Sequence, residues 1–201
     1  LVLKALLSLE ASGPMPVRVS VDEVRRMSEA MQQVECTRTI DFHQQLFEQG
    51  FADRFLSALN APAVRQGPGH TTHISVVDRE GNAVGLTSSL GETAGICIPG
   101  TGVALNNFLG EEDVNPANNP RAPGTRLFTM CCPTIVERGD EVYVMGSGGS
   151  SRIRSAVLHG VVYLADHGMS AEEIVQAPRA HVEEGNLHVE TEGRPAGSLQ
   201  E

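Results

Sequence analysis

Apolar side chains recur at Val24, Met27, Met31 and Val34, a helical spacing, and the stretch opens with Ser20 and Glu23 placed as a capping box. "LVLKALLSLE" before it reads as a short buried helix. "DFHQQLFEQG", from Asp41 to Gly50, carries the usual punctuation of a helix, and "FADRFLSALN" follows as another. Periodicity then stops in "APAVRQGPGH", a loop by composition.

From Thr72 onward the period changes from helical to alternating. "THISVVD" and "AVGLTSS" flank "REGN", a hairpin signal, and "TGVALNN", "CCPTIVE" and "EVYVMGS" are further β-rich runs, the last two separated by "RGD". "SSRIRSAVLHGVVYLADHG" returns to helical spacing, with Ile153, Val157, Val161 and Leu164 on one face and Gly168 as its stop. Ser170 and Glu173 repeat the capping-box signature, and "HVEEGNLHVE" predicts a closing hairpin. Helices, then strands, a helical stretch and strands again predict a layered α+β fold.

Composition narrows the classes. With 201 residues, 40% hydrophobic and 20% charged, the chain is globular and long enough for an ordinary core. A formal net charge of −10 opposes nucleic-acid binding, which depends on basic surfaces that displace counterions. No apolar run reaches the roughly 18 residues that a membrane-spanning helix needs. The chain begins at Leu1 inside an apolar stretch, so the expectation is a longer protein whose targeting signal would lie upstream. The compartment therefore stays open. Cys36, Cys97, Cys131 and Cys132 lack a CxxC spacing, and no histidine has a third ligand at a diagnostic interval. Neither a metal nor a cofactor is expected.

Two places carry chemistry. Thr71 follows "GPGH" and opens a strand. Threonine is common at strand starts. Alternatively, its hydroxyl attacks the carbonyl of His70, splits the chain by an acyl shift, and becomes a nucleophile whose own α-amine, with pKa near 8, serves as base. The second place is "MGSGGSSR", where a strand runs through glycines into a helix N-terminus. Such a turn needs glycine on steric grounds alone, yet its N–H groups also suit an anion or a developing oxyanion. It lacks a P-loop lysine. In "LNNFLGEEDVNP", Glu111, Glu112 and Asp113 are either a solvated loop or a receptor for a ligand ammonium group. No Gly-x-Ser-x-Gly elbow is present.

Taken in order, "TTHISVVDREGNAVGLTSS", "PGTGVALNN", "PTIVERGDEVYVMGSGGSSRI" and "APRAHVEEGNLHVE" resemble the γ-glutamyltranspeptidase family. The resemblance implies an N-terminal-nucleophile hydrolase with an αββα sandwich. Residues 1–66 would be the helical end of a large subunit, 67–70 the lead to the cut, and 71–201 the small catalytic subunit. Autocleavage would fall between His70 and Thr71, with Thr71 as nucleophile, Ser89 as its assisting hydroxyl, and Gly149 and Ser150 as the oxyanion-hole pair. Gly91 falls where many members have a substrate-binding Asn, and Glu92 is the residue placed to compensate. Phe108 replaces an acidic or amide group. Glu111 replaces an Asp that helps hold the glutamyl ammonium. Thr129 and Met130 replace the serine pair that contacts the substrate carboxylate. The family's carboxylate-binding Arg would lie upstream of Leu1.

Three readings follow from the residues and the resemblance together. The first is a γ-glutamyl hydrolase or transferase acting on small glutathione-like donors. It would be partnered by the upstream remainder of its large subunit, possess no membrane span and bind no nucleic acid, with homo-oligomerisation left open. The second is a relative acting on other acyl amides. The third is an unprocessed paralogue that binds an amino-acid-like ligand.

Overall fold

The computed structural model describes residues 2–13, 20–35, 45, 48, 51, 70–111, 114–183, 185–191 and 194–199. The sequence-based helices over 41–50 and 51–60, most of the loop before His70, and Cys36, Glu112 and Asp113 lie outside the described residues. Helix α1 runs over Val2–Ala11 and α2 over Val21–Glu35. Strands β1 (Thr71–Val77) and β2 (Ala83–Ser89) form one antiparallel hairpin, and β3 (Thr134–Arg138) and β4 (Glu141–Met145) another. Helices α3 (Arg152–Ala165) and α4 (Ala171–Gln176) follow. The chain closes with a three-stranded antiparallel sheet of β5 (Ala180–Glu183), β6 (Asn186–Thr191) and β7 (Arg194–Leu199). The contacts divide the chain into two units, 1–65 with 158–201, and 66–157.

In the first unit the apolar stripe of α2 is the heart of a core. Met27, Ala30, Met31 and Val34 gather with Ala5 and Leu9 of α1, Leu158 and Val162 of α3, and Val182 of β5. Removing each large side chain from water contributes about 1.5–3 kcal/mol. The α3 face is turned slightly from the expected one: Val162 is buried where Val161 is only half-buried, because Leu158 and Val162 share the row that meets α2. The capping box of α2 is half formed. The Glu23 N–H donates to Ser20 Oγ at 3.2 Å, but the Glu23 carboxylate turns inward and accepts from His167 Nε2 at 2.8 Å. Ser170 and Glu173 complete both halves of their box at α4. The expected closing hairpin forms as β5–β6, with His181 opposite His188. Its third strand β7 was not anticipated.

In the second unit β1 and β2 pair from Thr71↔Ser89 to Val77↔Ala83. Asp78 closes their turn: its carboxylate accepts from the Asn82 side chain and from the Asn82 and Glu80 N–H groups, which holds it below the usual carboxylate range. β3 and β4 turn at Gly139 and Asp140, where Gly139 has φ 61°. The two hairpins pack together through Ser75 Oγ, which donates to the Val144 carbonyl at 3.0 Å. "TGVALNN" is not a strand. It contributes one isolated bridge, Cys97↔Ala104, and then a 3₁₀ turn at Phe108–Gly110. Gly100 and Gly102 flank Thr101 with positive φ and bend the chain back, so Val103 and Leu105 bond to Ile98, Ile96 and Ala94 in a pairing too short to become a strand. Among the described residues, no helix is long and apolar enough to cross a membrane.

Candidate active site

Strand alternation decides between the two adjacent threonines. Thr71 and His73 point to the face packed on β3–β4 and are half-buried, whereas Thr72 is exposed. Thr71 Oγ1 lies 2.9 Å from Ser89 Oγ, its directly opposite cross-strand partner. Ser89 Oγ also accepts from the Gly91 N–H at 3.0 Å. With one lone pair so engaged, the Ser89 hydroxyl hydrogen remains available for the threonine oxygen. That polarity suits an oxygen gaining negative charge.

The glycine loop after β4 is held against the start of β1. A Cβ on Gly146 would lie 2.2 Å from His73 Nδ1, and one on Gly148 would lie 2.4 Å from the Thr71 carbonyl oxygen. Both positions therefore require glycine for close approach. Gly149 (φ 116°) and Ser150 (φ 56°) follow with positive φ and lead into the N-terminus of α3, where Arg152 N–H and Ile153 N–H bond back to their carbonyls. A serine in the left-handed region costs about 1–2 kcal/mol, and strain of this kind gathers where a loop is held for a purpose. The start of a helix also carries partial positive charge.

These elements line a small, open cavity. Of the residues singled out in the sequence, Thr71, Ser89, Glu111, Thr129, Met130 and Ser150 line it, together with Gly91 and Phe108. His70 and Gly149 adjoin it through their chain neighbours. Glu92 does not line it. The Glu92 side chain is exposed, and only its N–H turns inward, donating to Asn107 Oδ1 at 2.7 Å.

The group that reaches Gly91 is Glu111. A Cβ on Gly91 would sit 2.0 Å from Glu111 Oε1 and 2.5 Å from Asn107 Oδ1, and Gly91 has φ 67°. Glu111 thus occupies the space that a side chain at residue 91 would need.

Sequence reasoning missed His73, whose Nδ1 lies 2.8 Å from Thr87 Oγ1 and whose Nε2 lies 3.1 Å from Ser75 Oγ. Period-two alternation from Thr71 would have put it on the site face. Cys131, Val114 and Ile153 also line the cavity without having been singled out for it. Among the described residues, no group of three or more His, Cys, Asp or Glu side chains could hold a metal ion.

The fold is mixed helix and sheet, and its cavity is built around a threonine hydroxyl, a second hydroxyl and a glycine-lined helix start. The family model for gamma-glutamyltranspeptidase matches residues 17–200, and the chain belongs to that family. A glutathione hydrolase proenzyme of Pseudomonas sp. (strain A14) is 38% identical over 126 residues, covering 56% of this chain and 22% of the relative. An acylase ACY 1 proenzyme of Pseudomonas sp. (strain V22) is 39% identical over 124 residues, covering 60% of this chain and 22% of the relative. A solved mutant of the Helicobacter pylori gamma-glutamyltranspeptidase superposes with a TM-score of 0.53 at 33% identity, covering 62% of this chain and 75% of that one. The chain spans about a fifth of the length of the curated relatives it matches.

Proposed function

We propose that this chain carries the catalytic machinery of a γ-glutamyl hydrolase or transferase that matures by cleavage between His70 and Thr71. The finer fold is read as the αββα sandwich of N-terminal-nucleophile hydrolases, with residues 1–66 ending a large subunit, 67–70 leading to the cut and 71–201 forming the small one. The carrying observation is the 2.9 Å contact of Thr71 Oγ1 with Ser89 Oγ on a wall shared with Ser150.

Once released, the Thr71 α-amine takes the hydroxyl proton while the oxygen attacks a γ-glutamyl carbonyl. Ser89 donates to the threonine oxygen, and the amides of Gly149 and Ser150 receive the oxyanion at the helix start. Collapse expels the amine, which takes the proton, and leaves a threonyl ester. Water or an acceptor amine then cleaves that ester and restores the hydroxyl. Glu111 is the carboxylate placed for the donor ammonium, and Thr129 and Met130 border the donor carboxylate. No cofactor enters these steps.

A second reading, an acylase for non-glutamyl amides, has its own support. The Gly91–Glu111 contact and the apolar Met130 alter the pocket that would grip an amino acid, and a relative named an acylase is as similar as the glutathione hydrolase. The test uses the full-length protein. Its mass should resolve into two fragments with the second beginning at Thr71, and Thr71→Ala should abolish both cleavage and turnover. Release of a γ-glutamyl anilide supports the first reading. Release of only a non-glutamyl acyl amide selects the second. An intact wild-type chain overturns both.

A further inference from the structure

Regular pairing of β1 with β2 begins at Thr71↔Ser89, yet the chain ahead of it is also tied down. The Leu90 N–H donates to the His70 carbonyl oxygen at 3.0 Å, and the His70 N–H donates to the Gly91 carbonyl at 2.6 Å. Two residues of one strand thus face a single residue of the other, the count of a β-bulge, which commonly ends a ladder beside an active site. The carbonyl captured by this bulge is the one that a cut before Thr71 would break.

We propose that the backbone N–H of Leu90 is the oxyanion donor for the chain's own cleavage, distinct from the glycine-loop amides assigned to turnover. The proposal rests on the maturation reading above. In the step, Thr71 Oγ bonds to the His70 carbonyl carbon and the carbonyl oxygen becomes an oxyanion against the Leu90 N–H. The C–N bond then breaks, the hydroxyl proton ends on the departing nitrogen, and a His70 ester of Thr71 remains. Water hydrolyses that ester to the His70 carboxylate and the free hydroxyl.

Catalysis by such a donor requires that it be fixed in advance. The residues around Leu90 meet that condition. Its carbonyl accepts from Thr93 N–H at 3.1 Å and Asn107 N–H at 3.2 Å, and the next N–H, of Gly91, is held by Ser89 Oγ at 3.0 Å. The same serine hydroxyl that touches the nucleophile thus braces the peptide beside the donor. The 3.0 Å bond already joins this donor to the oxygen that takes up the charge when Thr71 Oγ adds to the carbonyl carbon. After the cut, the His70 end is free to leave, and the donor has no further part in turnover.

The experiment replaces Leu90 in the full-length chain by its α-hydroxy acid, exchanging the N–H for an ester oxygen, with the same exchange at Leu86 as control. Fragment appearance should slow about 10²-fold in the first and follow the wild type in the second. The fraction that does mature should turn over acyl donor with unchanged kcat. Cleavage as fast as in the Leu86 control overturns the proposal, as does a matching loss of kcat, which would mark a structural effect. Independently of how the ester chain folds, isotope-edited infrared of a carbonyl label at His70 in Thr71→Ala protein should give a hydrogen-bonded band. A band at the position of a free carbonyl overturns the proposal. A wild-type chain that is never cut defeats the maturation reading instead.

Discussion

The two units of the chain solve different problems with different means. In the unit formed by 1–65 and 158–201, Met27 is fully buried in a continuous core with Leu9, Leu158 and Val182, and Leu164 is fully buried as well. In the unit formed by 66–157, no residue of β1 to β4 is buried, and Ile74, Val84 and Leu86 are more than half exposed. Yet the candidate site is wholly in the second. Thr71 and Ser89 are placed there by hairpin register, glycine contacts and short hydrogen bonds, with the buried Val114 and Ile153 behind them on the cavity wall. Substitutions should therefore separate: damage to the strand unit should appear first as lost chemistry, and damage to the helix-rich unit first as lost stability.

Beyond the nucleophile itself, the largest expected effect in this comparison is at Gly148. An alanine Cβ there would meet the Thr71 carbonyl oxygen at 2.4 Å, and backbone cannot swing aside as a flexible side chain does. The loop must move, and a displacement near 1 Å at a reacting centre costs about 10²-fold in rate. Gly148→Ala should slow both self-cleavage and turnover by about that factor, measured as fragment formation and as acyl release. Activity close to wild type would show that the glycine loop is not positioned by this contact.

How much of this was legible beforehand follows the same division. The hairpin turn at "REGN", the Ser170 cap and the threonine that opens the β-rich half are local patterns, and local patterns are what a sequence displays. The partner of Glu23 was not legible. Its carboxylate sits where a capping box would use it, but burial against His167, 144 residues away, outweighs the local bond. Glu92, the chain neighbour, is the residue that sequence alone sets against Gly91, whereas the fold brings Glu111 against it from across the cavity. "TGVALNN" has strand composition, but the tight bend at Gly100 and Gly102 leaves it only a short pairing with 94–98. The Leu90 N–H has no signature at all, because a backbone donor looks the same at every residue.

The helix-rich unit offers the intermediate effect, through pH. His159 is buried, its Nε2 lies 3.0 Å from both the N–H and the carbonyl of Ala180, and its Nδ1 has no hydrogen-bond partner among the described residues. Burial disfavours the charged ring and pushes its pKa down to about 4, against an ordinary value near 6.5. Between those values the unfolded chain binds a proton that the folded chain refuses, so stability falls as the pH drops from about 6.5 to about 4. A difference of that size corresponds to roughly 3 kcal/mol. Urea midpoints across that window should show the decline, and His159→Leu should flatten it. A wild-type profile as flat as that of the variant would mean that the ring is not buried neutral.

The smallest effect sharpens the comparison, because it should touch stability and leave chemistry alone. Ser170 Oγ accepts from the Glu173 N–H at 3.3 Å, and the Glu173 carboxylate accepts from the Ser170 N–H and Oγ, each at 2.8 Å. Those bonds hold the carboxylate below its usual range, and they satisfy donors that a six-residue helix otherwise leaves to water. Ser170→Ala deletes the hydroxyl that accepts from the Glu173 N–H and leaves the Ser170 N–H bond in place, at a cost of about 1 kcal/mol. Chemical denaturation should register that loss, while the rate of cleavage before Thr71 should not change. A slowed cleavage would mean that α4 is coupled to the strand unit, and that the division between stability and chemistry is less sharp than the burial pattern implies.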